Sequence, residues 1–291
     1  MITVFTPTYN RAYIIDKLYQ SLLIQTNKDL EWLVVDDGST DNTEEYFKEI
    51  LNKDNPFKIS YIKQENGGKH RAINRGVQLA HGELFFIVDS DDYLLSDAIE
   101  KLSEWVNGLD CSKKWAGVSG ARGYSDEKYI GMVYEKAPYV DAKNNQRDKY
   151  NLGGDKAEAY FTDVLKKYPF PEFEGEKFIT EEVVWNAIAR DGYYIRWYKD
   201  IIYICDYLED GLTKSGDAKY LKNPQGVLYW AKIQLQAFPH NKKRRLSVIN
   251  KYYETVKNNK SIKVISKELG VSKTYIRFAV LIVKLGRKIR K

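Results

Sequence analysis

The sequence predicts an α/β fold, a mostly parallel sheet flanked by helices, followed by a basic helical C-terminal extension. Three observations carry that reading. Short apolar runs alternate with segments of helical period over the first 110 residues. The residues just after each run are polar and chemically varied. Charge is also divided: residues 242–291 hold 16 Lys+Arg against Glu254 and Glu268, whereas residues 1–241 hold 30 Lys+Arg against 38 Asp+Glu.

In chain order, the strand-like runs are "ITVFT" (2–6), "LEWLVVDD" (30–37), "FKISYI" (57–62) and "ELFFIVD" (83–89). Between and after them, residues 11–25, 42–51, 69–80 and 96–106 place apolar side chains three and four apart, the helix period. Strands this uniformly apolar are covered on both faces, which implies parallel pairing with right-handed crossovers. Residues 115–124 and 128–135 read as further strand-like pieces, and residues 141–160 as a polar, mobile loop. The segment "FITEEVVWNAIARDG" (178–192) reads as a helix capped by Thr180 and ending near Gly192.

Composition narrows the function classes. The chain has 291 residues, 43% of them hydrophobic, enough for one large core or two modest ones. It lacks the roughly 18 consecutive apolar residues that a membrane span requires, and "MITVFTPTYNR" lacks the order of a secretory signal, so a cytoplasmic protein is expected. Cys111 and Cys205 have no metal-ligand spacing with the three histidines and are expected to be buried small hydrophobes.

In an open parallel sheet the ligand sits beyond the carboxyl ends of the strands. There the sequence places "TPTYNR" (6–11), "DDGSTD" (36–41), "QENGGKHRAINRG" (64–76) and "DSDDYL" (89–94). This set suits a nucleotide diphosphate. Tyr9 offers a face for a base, Asp37 an acceptor for a base N–H, and Asp89 an acceptor for ribose hydroxyls. The crowded Asp89, Asp91 and Asp92 need positive charge nearby, and a hard divalent cation held by Asp91 and bridging to phosphate would supply it. Gly67 and Gly68 would let backbone approach the ligand, or simply form a turn.

Those four segments, in that order, resemble the inverting family 2 glycosyltransferases of GT-A fold from bacterial polysaccharide synthesis. The resemblance implies transfer from a nucleotide diphosphate sugar, UDP-linked by preference, to a hydroxyl of a glycan or lipid-linked acceptor. It implies that Pro7 and Tyr9 border the base, that Asp37 contacts it, and that Asp89 and Asp91 form the Asp-x-Asp element with Mn²⁺ or Mg²⁺ at Asp91. The third segment departs from the family's Ala-Arg-Asn-x-Gly: it reads "AINRG", with Ile73 in the arginine's place. Lys69 or Arg71 is expected to carry the displaced charge, and Asn66 belongs to the same donor-binding segment. Three parts follow: residues 1–110 as the nucleotide-sugar half, 111–220 as the acceptor half and 221–291 as the extension.

A sugar hydroxyl must lose its proton during attack, so a general base is required. Glu181 and Glu182 begin the 178–192 helix, where acidic residues also simply complement the helix dipole. The resemblance makes Glu182 the base and Glu181 its orienting neighbour. Trp185, three residues on, is a candidate acceptor platform, and Thr213, Lys214 and Ser215 are candidates to close over the diphosphate. Residues 242–291 are expected to meet anionic lipid headgroups, bringing the enzyme to a lipid-linked acceptor. The competing reading takes residues 262–280, with Gly270 at the turn, as a DNA-reading helix-turn-helix on a sugar-nucleotide-sensing regulator.

Overall fold

The computed structural model describes residues 1–206, 216 and 218–289, with side chains as far as residue 286. The expected alternation is present: β1 (Ile2–Thr8), α1 (Asp16–Leu23), β2 (Leu30–Asp36), α2 (Thr43–Leu51), β3 (Lys58–Lys63), α3 (Lys69–Leu79), β4 (Leu84–Ile87), β5 (Tyr93–Leu94) and α4 (Ala98–Asn107). Then come β6 (Trp115–Gly123), β7 (Tyr139–Ala142), a 3-10 turn (Asn144–Tyr150), β8 (Lys156–Phe161), α5 (Thr162–Leu165), α6 (Glu182–Arg190) and β9 (Tyr194–Ile204). The chain continues through α7 (Ala218–Leu221), α8 (Pro224–Ala237), α9 (Lys242–Val256), α10 (Ile262–Leu269) and α11 (Lys273–Ile289).

One sheet runs β3-β2-β1-β4-β8-β6-β9-β5, with β7 added against β9. The first four strands in that order are parallel, in a register that opposes Ile2 to both Leu30 and Leu84. Period-two alternation sends Val4, Trp32, Val34 and Phe86 to one face, under α1, α2 and α4, and Phe5, Leu33, Val35 and Phe85 to the other, under α3 and α6. Both faces are therefore buried, as the uniform apolar runs require. A third core, including Val227, Ala231, Ile249, Tyr252 and Ile276, joins α8 to α11.

Several expectations change. The 141–160 loop is largely structured: β8 lies between β4 and β6, antiparallel to both. Its "KAEAYF" lacks β-branched residues, so propensity hides a strand that tertiary pairing imposes. Residues 128–135 form no strand beyond a single bridge from Tyr129 to Gly123. Helix α6 starts without a side-chain cap: Glu181 occupies the N-cap position, and Thr180, one residue earlier, accepts from Val183 N–H through its carbonyl. Cys111 is exposed rather than buried. No helix among the described residues is long and apolar enough to cross a membrane. The local frame of a helix-turn-helix is real: Ser261 accepts from Val264 N–H, and Gly270 adopts the left-handed region at φ 65°. The exposed side of α11, however, carries an apolar stripe of Phe278, Leu281, Ile282 and Leu285 beside Arg277 and Lys284, whereas a face that reads base edges is polar.

Candidate active site

Parallel register aligns the carboxyl ends of β1, β2, β3 and β4, and backbone hydrogen bonds extend the alignment one step further. Asp37 N–H donates to the Thr8 carbonyl, Gln64 N–H to Asp36 and Val88 N–H to Phe5, each at 2.8 Å. The four polar segments therefore converge where the sequence puts them. Pro7 is buried and paired with Val35, whereas the Tyr9 ring just beyond is exposed.

Lys69, the first residue of α3, joins the site together. Its ammonium lies 2.6 Å from Asp89 Oδ1 and 2.8 Å from Glu181 Oε1, linking the end of β4 to the start of α6. Burial works to lower its pKa, but Asp89 and Glu181 outweigh burial and hold the ammonium well above its ordinary value. Burial likewise works to raise the Asp89 pKa, and Lys69 with Arg122 brings it below the usual carboxylate range. Asp92 goes the other way: burial, reinforced by Asp89, lifts it to about 7. Its Oδ2 accepts from the Tyr203 hydroxyl at 2.6 Å, and that hydroxyl accepts from Asp89 N–H at 2.9 Å. Arg122 reaches both Asp89 and Asp92 at 3.9 Å and lies over the Tyr203 ring. Charge on Asp89 and Asp92 is thus offset from inside the protein, by Lys69 and Arg122.

Asp91 is the exception, since its side chain makes no hydrogen bond to another described residue. Burial and the neighbouring Asp89 raise its pKa. A carboxylate in this state suits a hard cation whose remaining ligands are diphosphate oxygens and water, so the donor set present fits Mg²⁺ or Mn²⁺ in that manner. Among the described residues no cluster of three or more His, Cys, Asp or Glu is arranged as a complete protein-only metal site.

The glycine-rich segment is shaped by protein contacts. Asp37 accepts from Gly67 N–H at 2.8 Å, Gly68 N–H at 2.7 Å, the Gln64 amide at 2.9 Å and the Asn66 amide at 3.2 Å. Its carboxylate therefore moulds the 64–68 loop. Asn66 Oδ1 accepts from Lys177 at 2.8 Å, tying that loop to the segment before α6. Gly68 has φ 95°, and a Cβ there would meet the Lys177 carbonyl oxygen at 1.9 Å, so only glycine fits.

Of the two cations expected to replace the arginine at Ile73, only Lys69 faces the carboxylates. Arg71 donates to the carbonyls of Gly67, Glu176 and Phe173 at 2.7–2.8 Å and to Glu172 at 3.1 Å, pinning residues 172–176. Ile73 is buried and lines a cavity of about 180 Å³ bordered also by Lys69, His70, Lys177 and Glu181. The expectation for Arg71 is corrected accordingly: its guanidinium is occupied by three backbone carbonyls and the Glu172 carboxylate.

The acidic pair separates. Glu181 turns to Lys69, while Glu182 turns toward the C-terminal helices. Glu182 Oε2 accepts from Trp230 Nε1 at 3.0 Å and Gln234 Nε2 at 2.9 Å, and its Oε1 accepts from Arg244 at 2.7 Å. Its side chain stays 42% exposed, so the carboxylate remains reachable from solvent. Trp185 is corrected. It is buried, stacked on Tyr160 at 4.2 Å and edge-on to Phe170, because this side of α6 faces the sheet. Its ring presents no face to a sugar. Thr213, Lys214 and Ser215 lie outside the described residues. Arg122, Tyr203, Trp230, Gln234 and Arg244 escaped the sequence reading, since each meets its partner across more than 30 residues; only the aromatic and basic content of residues 230–245 hinted at the last three.

Comparison with known proteins agrees with this architecture. The beta-1,3-glucosyltransferase of Campylobacter jejuni that acts on GalNAc(5)-diNAcBac-PP-undecaprenol is 28% identical over 242 residues, 80% of this chain and 73% of that protein. Two Streptococcus pneumoniae glycosyltransferases match at 42% and 38% identity, and the chain spans only 18% and 36% of their lengths. Among solved structures, Staphylococcus aureus TarS 1–349 with UDP-GlcNAc superposes with a TM-score of 0.64 at 19% identity, covering 98% of this chain and 92% of that one. The Pyrobaculum calidifontis mannosyltransferase with GDP-Man and Mn²⁺ gives 0.57 at 19%, covering 98% and 86%. At such identities these likenesses speak for the fold, which is of the GT-A type. The profile of glycosyl transferase family 2 matches residues 3–167, more than half of the sequence and the whole of the four-segment crevice. On that match, the chain belongs to glycosyl transferase family 2.

Proposed function

We propose that this crevice transfers a sugar, with inversion, from a nucleotide diphosphate sugar to a hydroxyl of a glycan or lipid-linked acceptor. The observation that carries the reading is the Lys69 bridge, which unites the Asp-x-Asp element at Asp89 with the acidic pair at the start of α6. In this account the exposed Tyr9 ring receives the base, at the edge of a loop shaped by Asp37 and Asn66. Asp89, kept ionised by Lys69, accepts from ribose hydroxyls. UDP is the preferred nucleotide, as in the TarS complex with UDP-GlcNAc, with GDP and dTDP as the alternatives to test. Asp91 would hold Mn²⁺ or Mg²⁺, which supplies Lewis-acid stabilisation of the departing diphosphate.

The general base is Glu182. A base must be oriented as well as basic, and Trp230, Gln234 and Arg244 fix this carboxylate while leaving it half exposed to an incoming acceptor. Glu181 works on the donor side through Lys69. The acceptor meets the carboxylate at the junction of α6 with α8 and α9, and the basic extension keeps the protein near a lipid-linked one. Lipid linkage is supported by the undecaprenol-linked acceptor of the Campylobacter relative. Thermal unfolding with UDP, GDP and dTDP, each with and without Mn²⁺, tests the donor assignment. One nucleotide raising the midpoint only alongside metal is the expected result, and no shift with any of them would reject it.

A further inference from the structure

Helix α11 has two apolar sides, and the protein covers only one. Ile276 and Ala279 are fully buried in the core shared with α9. Phe278, Leu281, Ile282 and Leu285, spaced as one helical stripe, are 49%, 56%, 39% and 47% exposed. An uncovered stripe of that kind on a helix of 17 residues asks for an occupant. The charge along this segment is of one sign: from Leu269 to Lys291 the sequence has seven Lys+Arg and no Asp or Glu.

We propose that this face of α11 docks the protein on a bilayer rich in anionic phospholipid. The helix would lie in the plane of the surface, its four apolar side chains entering the headgroup boundary and Arg277 and Lys284 meeting lipid phosphates. Charge argues against a second copy of the chain, because two-fold pairing through this stripe would set two cationic helices against each other. Nucleic acid would match the charge yet leave the apolar stripe in water. The inference rests on the membrane contact proposed above for the basic extension and narrows it to one helix face; it needs no particular donor chemistry, so its failure is distinguishable from failure of the sugar-transfer assignment.

Co-sedimentation of the whole chain with vesicles tests it. Binding is expected to vesicles containing phosphatidylglycerol and not to pure phosphatidylcholine, and to weaken as salt rises. Lys284→Gln should lower vesicle affinity about fivefold. Phe278→Ser combined with Leu281→Ser should lower it at least about tenfold, while the unfolding midpoint and turnover on a water-soluble acceptor stay at the parent values. If the double variant is not folded, Leu281→Gln alone takes its place. Equal sedimentation with neutral and anionic vesicles would overturn the proposal. So would unchanged binding by the variants, or a dimer seen by light scattering that the same substitutions dissociate.

Discussion

Lys69 is the residue on which the site turns. Removing its charge while keeping its length, as Lys69→Met, leaves the half-buried Asp89 and Glu181 without their shared partner. The account predicts that donor affinity falls, and stability with it, by about 1–3 kcal/mol; equilibrium denaturation and nucleotide titration would measure the two effects. The acidic pair is separable by kinetics. Glu182→Gln should reduce kcat about 10²- to 10⁴-fold with donor KM unchanged, whereas Glu181→Gln should act mainly on donor KM. His70, at the cavity wall, supplies a pH signature. Burial, aided by Arg71, lowers its pKa to about 4 from an ordinary 6.5. The folded protein therefore binds this proton less readily than the unfolded chain, so the contribution is present above pH 6.5 and is lost as pH falls through 4. Denaturation midpoints should decline over that window, and His70→Gln should flatten the slope.

At the scale of elements, the segment 172–182 is held from two sides. Arg71 of α3 grips residues 173–176 by their carbonyls, and α8 is tied back by Glu176, which accepts from Gln225 N–H at 2.7 Å and Gly226 N–H at 2.8 Å. Helix α9 completes the clasp through Arg244 and Glu182. Arg244→Ala should therefore lower kcat without moving donor KM, with Arg244→Lys recovering only part, since one ammonium cannot reproduce contacts to both Glu182 and Gln234. Gly68→Ala should destabilise the fold by about 1–3 kcal/mol, because the positive φ and the Lys177 carbonyl both exclude a methyl group. Elements were legible where the signal is local. β1, β2, β4 and α3 follow from apolar runs and helical period, and their ends locate the crevice. β8 was not, because Ala157 and Ala159 become strand residues only between β4 and β6. The positions of Asp89, Asp91 and Glu181 relative to one strand end or helix start could be read from spacing. The cations that balance them could not. Arg122 comes from β6, reaches Asp89 across the sheet and lies over Tyr203 of β9, three segments distant in sequence.

For the whole molecule, the division of charge has a structural counterpart. The acidic residues proposed to serve the donor sit at the strand ends, and the C-terminal helices pack against α6 through Glu182 rather than trailing as an appendage. An extension beginning at residue 221 is thus less separate than the sequence suggests, since the first turn of α8 is bound by Glu176 and its later turns by Glu182. The central claim is that the Asp89–Asp91–Lys69 crevice binds a nucleotide diphosphate together with a divalent cation. Isothermal titration of UDP, with GDP and dTDP as comparators, into the parent and into Asp91→Ala, each with and without Mn²⁺, tests it most directly. The account predicts binding of one nucleotide that strengthens with Mn²⁺ in the parent and loses that metal dependence in Asp91→Ala. Nucleotide affinity with the same response to Mn²⁺ in both proteins, or heat from none of the three nucleotides, would contradict it.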